Sequence, residues 1–343
     1  MNKSKDFRVA IVGATGLVGE TMVKVLEERN FPVSELHLLA SNRSVGKRAE
    51  YKGSNLPVRE LAHFDFSKVD IALFSPGAAV SREYAPQAAA AGCIVIDNTS
   101  EFRYYDDVPL IVPEVNPHAI VHYKNRGIIA NPNCSTIQLV VALKPIHDAA
   151  GIERINVATY QSVSGAGREA VEELAQQSIT LLSGQGPVQA YVIPKQIAFN
   201  CVPQIDSFED NGYTREEMKV VWETRKILED PAIRINVTAV RVPVFYGHSE
   251  VVSIETRTKI TPEEARALLE KAPGVEVMDE RRPGGYPTAA TEAANRDTVY
   301  VGRIRQDAST ERGLNLWVVA DNVRKGAATN SIQIAELLAQ QPI

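Results

Sequence analysis

The sequence predicts an α/β protein with two domains. The first is an N-terminal Rossmann-like domain with a doubly wound parallel sheet, and the second is an α+β domain with a mixed or antiparallel sheet. A length of 343 residues exceeds what one hydrophobic core usually holds. Strand and helix patterns alternate through the first third of the chain, whereas longer strand patterns with longer connections follow after about Asn133.

In the first third, short apolar runs are separated by segments in which apolar and charged residues recur at helical spacing. Apolar strands that alternate with helices form parallel sheets covered on both faces. The right-handed crossover rule then predicts a doubly wound arrangement that binds nucleotides. The predicted strands are Arg8–Val12, Glu35–Ala40, Asp70–Phe74, Cys93–Asp97 and Ile128–Ala130, and the predicted helices are Glu20–Glu28 and Gln87–Ala91.

The second part of the chain has longer strand patterns, which are typical of an α+β domain. Helices are predicted at Ser135–Ala149, Ala170–Leu182, Arg215–Leu228, Thr261–Ala272 and Ala328–Leu338. Strands are predicted at Ile155–Tyr160, Ile235–Val244, Val251–Arg257, Val299–Ile304 and Leu314–Ala320.

The composition excludes several classes of protein. The net charge is −5 and there is no block of Lys or Arg, which argues against nucleic acid as the main partner. No apolar span of about 20 residues exists, so we expect no membrane partner. Three is a small and odd number of cysteines for a disulfide framework, which favours free thiols and a cytoplasmic location.

A glycine-rich turn links the first predicted strand to the first predicted helix. Gly13, Gly16 and Gly19 recur at intervals of three. Such a turn lets the backbone approach a pyrophosphate and points the N–H groups of the helix N-terminus at the anion. Because the motif follows a strand and precedes a helix, we predict a dinucleotide site here, with a ligand-free turn as the alternative.

The end of the second predicted strand indicates which dinucleotide is bound. NAD-binding domains usually place Asp or Glu there to bind the ribose 2′-hydroxyl. This chain has Ser41 and Arg43 instead, with Lys47 close by. A guanidinium group suits a 2′-phosphate, so we predict NADP, with a basic surface loop as the alternative.

One cysteine lies at the start of a predicted helix. Pro132 disfavours helix just before Cys134, and a helical pattern follows at once. The unpaired N–H groups and the positive dipole end favour a thiolate there and can hold an oxyanion. We therefore predict that Cys134 is a nucleophile, whereas Cys93 and Cys201 are expected to be small core residues. No Cys or Cys/His cluster has metal-ligand spacing, so no metal is expected.

A nucleophilic thiol beside a nicotinamide suggests aldehyde chemistry, in which a thiolate adds to the aldehyde, hydride leaves and a thioester remains. The proton of the adduct needs a base. Arg241 lies on the core-facing phase of a predicted strand and therefore needs a partner, such as a ligand carboxylate. Pro243 and Gly247 are expected to end this strand and to present His248 from a loop.

A further predicted helix begins at a capping box formed by Thr214 and Glu217, so Glu217 has a structural role. Glu216 and Lys219 share a face of this helix, where a solvated ion pair is the simpler interpretation. Gly165 and Gly167 follow a predicted strand and would permit close approach of a flat ligand, although an ordinary connecting loop explains them equally well.

These motifs resemble, in order and over nearly the whole chain, those of the aspartate-β-semialdehyde dehydrogenase family. The segment Asn131–Gln138 is the most specific, since related N-acyl-glutamyl-phosphate reductases typically carry Gly-Cys-Tyr there. The motifs that carry the resemblance are Gly13–Gly19, Asn98–Arg103, Val112–Asn116, Asn131–Gln138, Gln161–Gly167, Asn200–Asp206 and Arg241–His248.

The resemblance implies a role for each candidate residue. Cys134 would form the acyl thioester, His248 would accept and donate the proton, Gln161 would orient the substrate and Asn133 would help to form the oxyanion pocket. Substrate and phosphate would be bound by Arg241 at the α-carboxylate, Glu216 at the α-amino group, and Arg103 with Lys219 at the phosphate. The implied NADP contacts are Gly13, Thr15, Gly16, Leu17, Val18, Ser41, Arg43, Ser44, Ser164, Gly165 and Asn322.

The implied reaction is the NADPH-dependent reductive dephosphorylation of L-aspartyl 4-phosphate to L-aspartate 4-semialdehyde, a step towards lysine, threonine, methionine and diaminopimelate. Inorganic phosphate would be the product or co-substrate. The family's C-terminal helix returns to the cofactor domain, so the expected domains are 1–132 with 323–343, and 133–322. A homodimer is implied, with a tetramer as the alternative. The alternatives for function are reduction of another acyl phosphate, such as N-acetyl-glutamyl phosphate, and a catalytically silent NADP-binding redox sensor.

Overall fold

The computed structural model describes residues 6–341, which form two compact units. Unit 1 contains the described residues through Asn133 and from Ala327 onward, and unit 2 contains Cys134–Gly326. The helices are α1 (Leu17–Glu28), α2 (Ala78–Ala90), α3 (Cys134–Ala150), α4 (Arg168–Leu182), α5 (Arg215–Ile227), α6 (Pro262–Leu269) and α7 (Thr329–Ala339). The strands are β1 (Phe7–Val12), β2 (Val33–Ala40), β3 (Arg48–Tyr51), β4 (Ser54–Glu60), β5 (Ile71–Phe74), β6 (Ile94–Asp97), β7 (Ile128–Ala130), β8 (Ile152–Gln161), β9 (Arg234–Arg241), β10 (His248–Thr256), β11 (Val275–Val277), β12 (Val299–Gln306) and β13 (Gly313–Ala320).

Unit 1 is built on a seven-stranded sheet in the order β3-β4-β2-β1-β5-β6-β7. All neighbouring strands are parallel except β3, which pairs antiparallel with β4. Strands β5, β6 and β7 are buried at every residue, as expected for a parallel sheet covered on both faces. The strand order reverses at β1, so the predicted doubly wound, Rossmann-like domain is confirmed.

Helix α7 belongs to the hydrophobic core of unit 1 although it lies at the opposite end of the chain. Ile332, Ile334 and Leu338 are fully buried in the same cluster as the apolar face of α1. Asn330 donates hydrogen bonds from Nδ2 to the Asn131 side-chain oxygen at 2.7 Å and to a backbone carbonyl at 3.0 Å. These contacts explain why so apolar a helix folds with the first part of the chain.

Unit 2 is built on a six-stranded mixed sheet in the order β11-β12-β13-β10-β8-β9. Strand β10 runs antiparallel to both β8 and β13, whereas β8 and β9 run parallel. Helix α3 lies against this sheet and is buried along most of its length. The mixed sheet confirms the predicted class of the second domain.

The structure corrects several predicted elements. Strand β9 ends at Arg241 rather than Val244, since Pro243 cannot donate to a ladder. Strand β10 begins at His248 rather than Val251, so His248 lies on a strand and the prediction of a loop was wrong. The sequence analysis missed β3, β4 and β11, and α2 begins at Ala78 rather than Gln87. Within residues 6–341, no helix has the length and apolarity needed to cross a bilayer.

Candidate active site

The hydrogen-bond register of unit 2 brings candidate side chains together at one edge of its sheet. Gln161 and Arg241 are the last residues of the parallel strands β8 and β9, and they lie opposite each other. Strand β10 runs antiparallel to β8 and begins at His248, which lies opposite Ala320 at the end of β13. Residues from four strands therefore meet at the same edge.

Cys134 is the first residue of α3 and is half-buried. The N–H groups of the first turn of a helix have no partner within the helix, so this position favours a thiolate and can hold an oxyanion. Gly326 lies against the cysteine, and a Cβ there would come within 2.8 Å of the Cys134 Cβ. The Cys134 side chain therefore depends on glycine at position 326 for its space.

His248 is completely buried, and its two ring nitrogens have different surroundings. Nδ1 accepts a hydrogen bond from the backbone N–H of Ser162 at 3.0 Å. Nε2 has no hydrogen-bond partner among the described residues and faces Gly165, where a Cβ would come within 3.2 Å of it. Burial, and next the charge of Arg241, lower the pKa of His248 to about 3, so the imidazole is neutral.

Arg241, Gln161 and Glu216 form a buried polar cluster. Arg241 donates from Nη1 to the Ser162 carbonyl oxygen at 2.8 Å, and Gln161 donates from Nε2 to Glu216 Oε1 at 3.1 Å. Burial lowers the pKa of Arg241, while the charges of Glu216 and Cys134 oppose that shift. A buried cation for a carboxylate and a buried anion for an ammonium group are what an α-amino acid requires.

Lys219 lies about one turn after Glu216 on α5, and two carboxylates bind its ammonium group. Its Nζ donates to Asp206 Oδ2 at 2.6 Å and to Glu216 Oε2 at 3.3 Å. Burial raises the pKa of Asp206, but the hydrogen bond and the charge of Lys219 bring it below its ordinary value. The Lys219 and Glu216 side chains are 13% and 7% exposed, so they do not form the solvated surface pair of the simpler interpretation.

A hydroxyl and amide network lies behind His248. Asn322 Oδ1 accepts from Ser162 Oγ at 3.0 Å, Ser164 Oγ at 3.1 Å and the Gly247 N–H at 3.0 Å. Ser162 Oγ also lies 3.1 Å from His248 Nδ1. Ser164 and Asn322, predicted as NADP contacts, therefore have these polar atoms engaged within unit 2.

Two further buried polar residues lie on the same two elements as Cys134 and His248. Glu250 follows His248 by two residues on β10, and Gln138 follows Cys134 by one turn on α3. Glu250 is completely buried, and burial raises its pKa well above the ordinary value, which the Gln138 amide partly opposes. The sequence analysis missed both residues because neither stands out from its apolar neighbours.

In unit 1, the glycine-rich turn forms one wall of a cleft of about 580 Å³. Gly13 has a φ of +85°, and a Cβ there would come within 2.5 Å of the Ser75 carbonyl oxygen. Helix α1 starts after Gly16 without a side-chain cap, so its first N–H groups can bind an anion. The cleft therefore fits a dinucleotide phosphate. Its lining includes Gly13, Thr15, Gly16, Ser41 and Arg43, together with the carboxylates of Glu60 and Glu83.

The predicted 2′-phosphate residues lie on a short 3₁₀ turn, Asn42–Ser44, directly after β2. Arg43 is exposed, and Ser44 Oγ lies 3.1 Å from Thr15 Oγ1 across the mouth of the glycine-rich turn. Leu17 and Val18, the remaining predicted contacts of the turn, are the first two residues of α1. The turn and the end of β2 therefore come together as predicted.

Arg103 is buried in unit 1 and donates from Nη2 to the Asn98 carbonyl oxygen at 2.9 Å. The neighbouring carboxyl of Asp97 accepts from Thr99 and Ser81, yet burial raises its pKa, which the charge of Arg103 partly opposes. Asn133, also buried, is the last residue of this part of unit 1 and directly precedes the cysteine in the chain.

The three cysteines have different environments. Cys93 is buried, as predicted, and burial raises its pKa to about 12. Cys201 is exposed, so its prediction as a core residue was wrong; it follows the left-handed residue Phe199 on a surface turn. Among residues 6–341, no three His, Cys, Asp or Glu side chains come together in a way that could hold a metal ion.

The chain matches known proteins over nearly its full length. Models of the semialdehyde dehydrogenase NAD binding domain and dimerisation domain match residues 8–123 and 143–325. Aspartate-semialdehyde dehydrogenase of Legionella pneumophila is 63% identical over 338 residues, which are 98% of this chain and 97% of that protein. The crystal structure of aspartate semialdehyde dehydrogenase II from Vibrio cholerae complexed with ASA has a TM-score of 0.97 and 58% identity over 99% of this chain and 100% of that one. The Candida albicans enzyme with NADP has a TM-score of 0.75 and 27% identity over 97% and 98%.

The fold, the site and these matches define an oxidoreductase that has a Rossmann-type domain for a nicotinamide cofactor and a separate dimerisation domain. The chain belongs to the aspartate-semialdehyde dehydrogenase family. The resemblance seen in the sequence motifs is thereby confirmed. The matched dimerisation domain also indicates that the chain forms oligomers.

Proposed function

We propose that this protein reduces L-aspartyl 4-phosphate to L-aspartate 4-semialdehyde with NADPH and releases inorganic phosphate, through a thioester on Cys134. The observation that carries the proposal is the buried cluster at the edge of the unit 2 sheet. It combines a helix-start thiol, a neutral imidazole and a cation–anion pair suited to an α-amino acid. The 63% identity to a relative named aspartate-semialdehyde dehydrogenase supports the same substrate.

The substrate would be held by charge complementarity. Arg241 would bind the α-carboxylate, and Glu216, which Gln161 orients, would bind the α-ammonium group. An acetylated amine carries no positive charge, so Glu216 argues against N-acetyl-glutamyl phosphate as the substrate. Lys219 and Arg103 would bind the phosphate. Lys219 is already held by Asp206 and Glu216, so a phosphate would compete with those carboxylates.

The chemistry needs a nucleophile and a group that stabilises charge on the carbonyl oxygen. Cys134 would attack the acyl phosphate as a thiolate, because its position at the start of α3 favours that form. His248 and Asn133 would stabilise the oxyanion, and His248 would serve as the proton donor or acceptor. The nicotinamide cofactor supplies hydride when it is bound.

The proposed cofactor is NADP rather than NAD. Arg43 lines the cleft directly after β2, where it would meet a 2′-phosphate, although Glu60 and Glu83 also line this cleft. Charged hydrogen bonds contribute about 1.5–3 kcal/mol. We therefore expect Arg43→Ala to raise the KM for NADP about 10- to 100-fold and to leave that for NAD nearly unchanged. Arg48→Ala, an exposed arginine outside this cleft, is the matched control; an unchanged preference for NADP would contradict the assignment.

We propose that unit 1 is the cofactor domain, that unit 2 is the catalytic and dimerisation domain, and that the chain is a cytoplasmic homodimer. The boundaries between the two compact units, near Asn133 and Gly326, support the first two assignments, and the matched dimerisation model supports the third. Light scattering of the purified chain distinguishes a dimer from a tetramer. A monomer at micromolar concentration would contradict the proposal.

The decisive experiment is phosphate- and NADP-dependent oxidation of aspartate semialdehyde by the purified protein. We expect activity in the wild type, its loss in a folded Cys134→Ser variant, and full retention in Cys201→Ser, whose thiol is exposed. Parallel assays of NADPH oxidation with aspartyl phosphate and N-acetyl-glutamyl phosphate test substrate choice. Absence of activity in the wild type would favour the catalytically silent NADP-binding protein.

A further inference from the structure

A buried carboxylate outside the substrate cluster directly follows the strand β13. Asp321 is only 2% exposed. Its Oδ1 accepts from the backbone N–H groups of Val323 at 2.8 Å and Arg324 at 3.0 Å. Its Oδ2 accepts from the backbone N–H of Asn295 at 2.7 Å. A buried carboxylate is stable only with such donors, and these three donors fix the backbone on both sides of it.

The segment after Asp321 is a helical turn of an uncommon kind. The Gly326 N–H donates to the Asp321 carbonyl oxygen at 2.9 Å, five residues back, and Arg324–Ala328 is a turn of π-helix. In an α-helix the same N–H would bond to the carbonyl oxygen four residues back. Isolated π-helical turns are rare and occur often at functional sites. The Asp321 carboxylate caps this turn because it binds the N–H groups two and three residues ahead of it.

The turn places Gly326 directly against Cys134. A Cβ at position 326 would come within 2.8 Å of the Cys134 Cβ and 3.2 Å of the Cys134 Cα. Real Cβ atoms essentially never come closer than 3.0 Å to another heavy atom. The φ of Gly326 is not positive, so its backbone conformation does not itself demand glycine. The contact with Cys134 is therefore what requires glycine at this position.

The start of α3 benefits from such a contact. Cys134 is the first residue of the helix, and the ends of a helix are held by fewer backbone hydrogen bonds than its interior. A reacting atom must lie about 3–3.5 Å from its target, and a misplacement of about 1 Å lowers the rate by up to about 10²-fold. A rigid surface behind Cys134 therefore favours a fixed position of the thiol.

We propose that Asp321 is a positioning residue for the reaction: its carboxylate holds the turn that contains Gly326, and Gly326 fixes the place of Cys134 at the start of α3. The inference rests on the proposed function for the role of Cys134 as the nucleophile. The packing of the turn against Cys134 belongs to the protein whatever its substrate.

The opposite end of β13 supplies a matched pair of controls. Asp307 Oδ1 accepts from the Ser309 N–H at 2.8 Å on an exposed turn, and a Cβ at Gly313 would come within 2.8 Å of the Asp307 Cβ. Gly313, like Gly326, does not have a positive φ. Asp307→Ala and Gly313→Ala therefore remove a carboxylate that caps a turn and fill the space beside a glycine, at the end of β13 remote from the turn that contacts Cys134.

The first test measures the reactivity of the Cys134 thiol and needs no turnover. Cys201→Ser removes the exposed thiol and Cys93 is buried, so alkylation by iodoacetamide in that background reports on Cys134. We expect Asp321→Ala and Gly326→Ala each to slow alkylation at neutral pH about two- to fivefold, because a displaced thiol loses the favourable end of the helix dipole.

The two control variants should react at the wild-type rate. Unchanged alkylation in both Asp321→Ala and Gly326→Ala would overturn the proposal. The rates stand even if the wild type proves inactive, so a failure of the proposed function is recognised separately, by its absence of turnover.

The second test separates turnover from binding. In both variants kcat for oxidation of aspartate semialdehyde should fall about 10- to 100-fold, with the KM for NADP and for phosphate changed much less. Asn322, the residue after Asp321, belongs to the network behind His248, so Asp321→Ala alone does not distinguish the two routes. Gly326→Ala leaves the Asp321 carboxylate in place and decides between them, also if Asp321→Ala does not fold.

The double variant and a conservative variant complete the test. If Asp321 acts through Gly326, Asp321→Ala with Gly326→Ala should lower kcat little more than the larger single effect. Asp321→Asn keeps an acceptor for the Val323 and Arg324 N–H groups but turns a donor towards Asn295, so its kcat should lie between those of the wild type and Asp321→Ala. Additive losses in the double variant, or a wild-type kcat in a folded Gly326→Ala, would refute the proposed route.

Discussion

Gly165→Ala tests whether the close packing around Arg241 and His248 is required for activity. A Cβ at position 165 would come within 2.9 Å of Arg241 Nη1 and 3.2 Å of His248 Nε2. The first distance is about 0.5 Å shorter than the 3.4 Å at which ordinary contacts begin. The guanidinium must therefore move, and its 2.8 Å hydrogen bond to the Ser162 carbonyl must lengthen or break.

The effect should appear in catalysis and not in folding. Gly165 does not have a positive φ, so alanine fits the backbone, and Gly→Ala at compatible sites changes stability by less than about 1 kcal/mol. A displaced Arg241 would lose a charged hydrogen bond to the substrate, worth about 1.5–3 kcal/mol, and each 1.36 kcal/mol in the barrier is tenfold in rate. We therefore expect kcat/KM for aspartate semialdehyde to fall about 10- to 100-fold.

The assay is steady-state oxidation of aspartate semialdehyde at saturating NADP and phosphate, together with a fluorescence titration of NADPH. The exposed neighbour offers a control, Ala166→Ser, which should behave as the wild type does. Because Gly165 is also a predicted cofactor contact, the two effects must be separated. Unchanged turnover, or a loss confined to NADPH affinity, would refute the steric reasoning.

Two further predictions concern stability. Burial raises the pKa of Glu250 in the folded protein well above the ordinary value of 4.5, so the stability it contributes is present below that pH and is lost as pH rises through the folded pKa. The free energy of unfolding of Glu250→Gln should therefore rise relative to that of the wild type between pH 5 and pH 8, by at most about 1.4 kcal/mol for each pH unit. Urea titrations measure this difference, and a difference that did not change with pH would refute the ionisation of Glu250. Ile332→Ala, on the buried face of α7, should cost about 2–5 kcal/mol in the same titrations, and a cost below 1 kcal/mol would mean that α7 adds little to its core.

The sequence was most informative where local chemistry decides the structure. The helix start at Cys134 and the capping box of Thr214 and Glu217 depend on neighbours in the chain, and both are present. The capping box also separates Glu217 from Glu216, because Glu217 is engaged with the Thr214 and Ala239 N–H groups, which leaves its neighbour for the site. Local pattern therefore predicted the helix start at Cys134 and the separation of Glu216 from the capping residue Glu217.

What the sequence could not provide is register between distant strands. Arg241, Gln161 and His248 meet because β9 is parallel and β10 antiparallel to β8, which no local pattern encodes. Cys201 was misplaced for a similar reason, since an apolar neighbour such as Phe199 does not show which side of a turn faces solvent.

The buried polar residues at this edge of the unit 2 sheet are held by many hydrogen bonds because burial would otherwise destabilise them. Burial alone disfavours the charged form of Arg241 and a second charge on His248, so the site keeps its few charges through compensation by Glu216 and by backbone groups. The resulting environment is dry enough to strengthen each contact with a developing oxyanion.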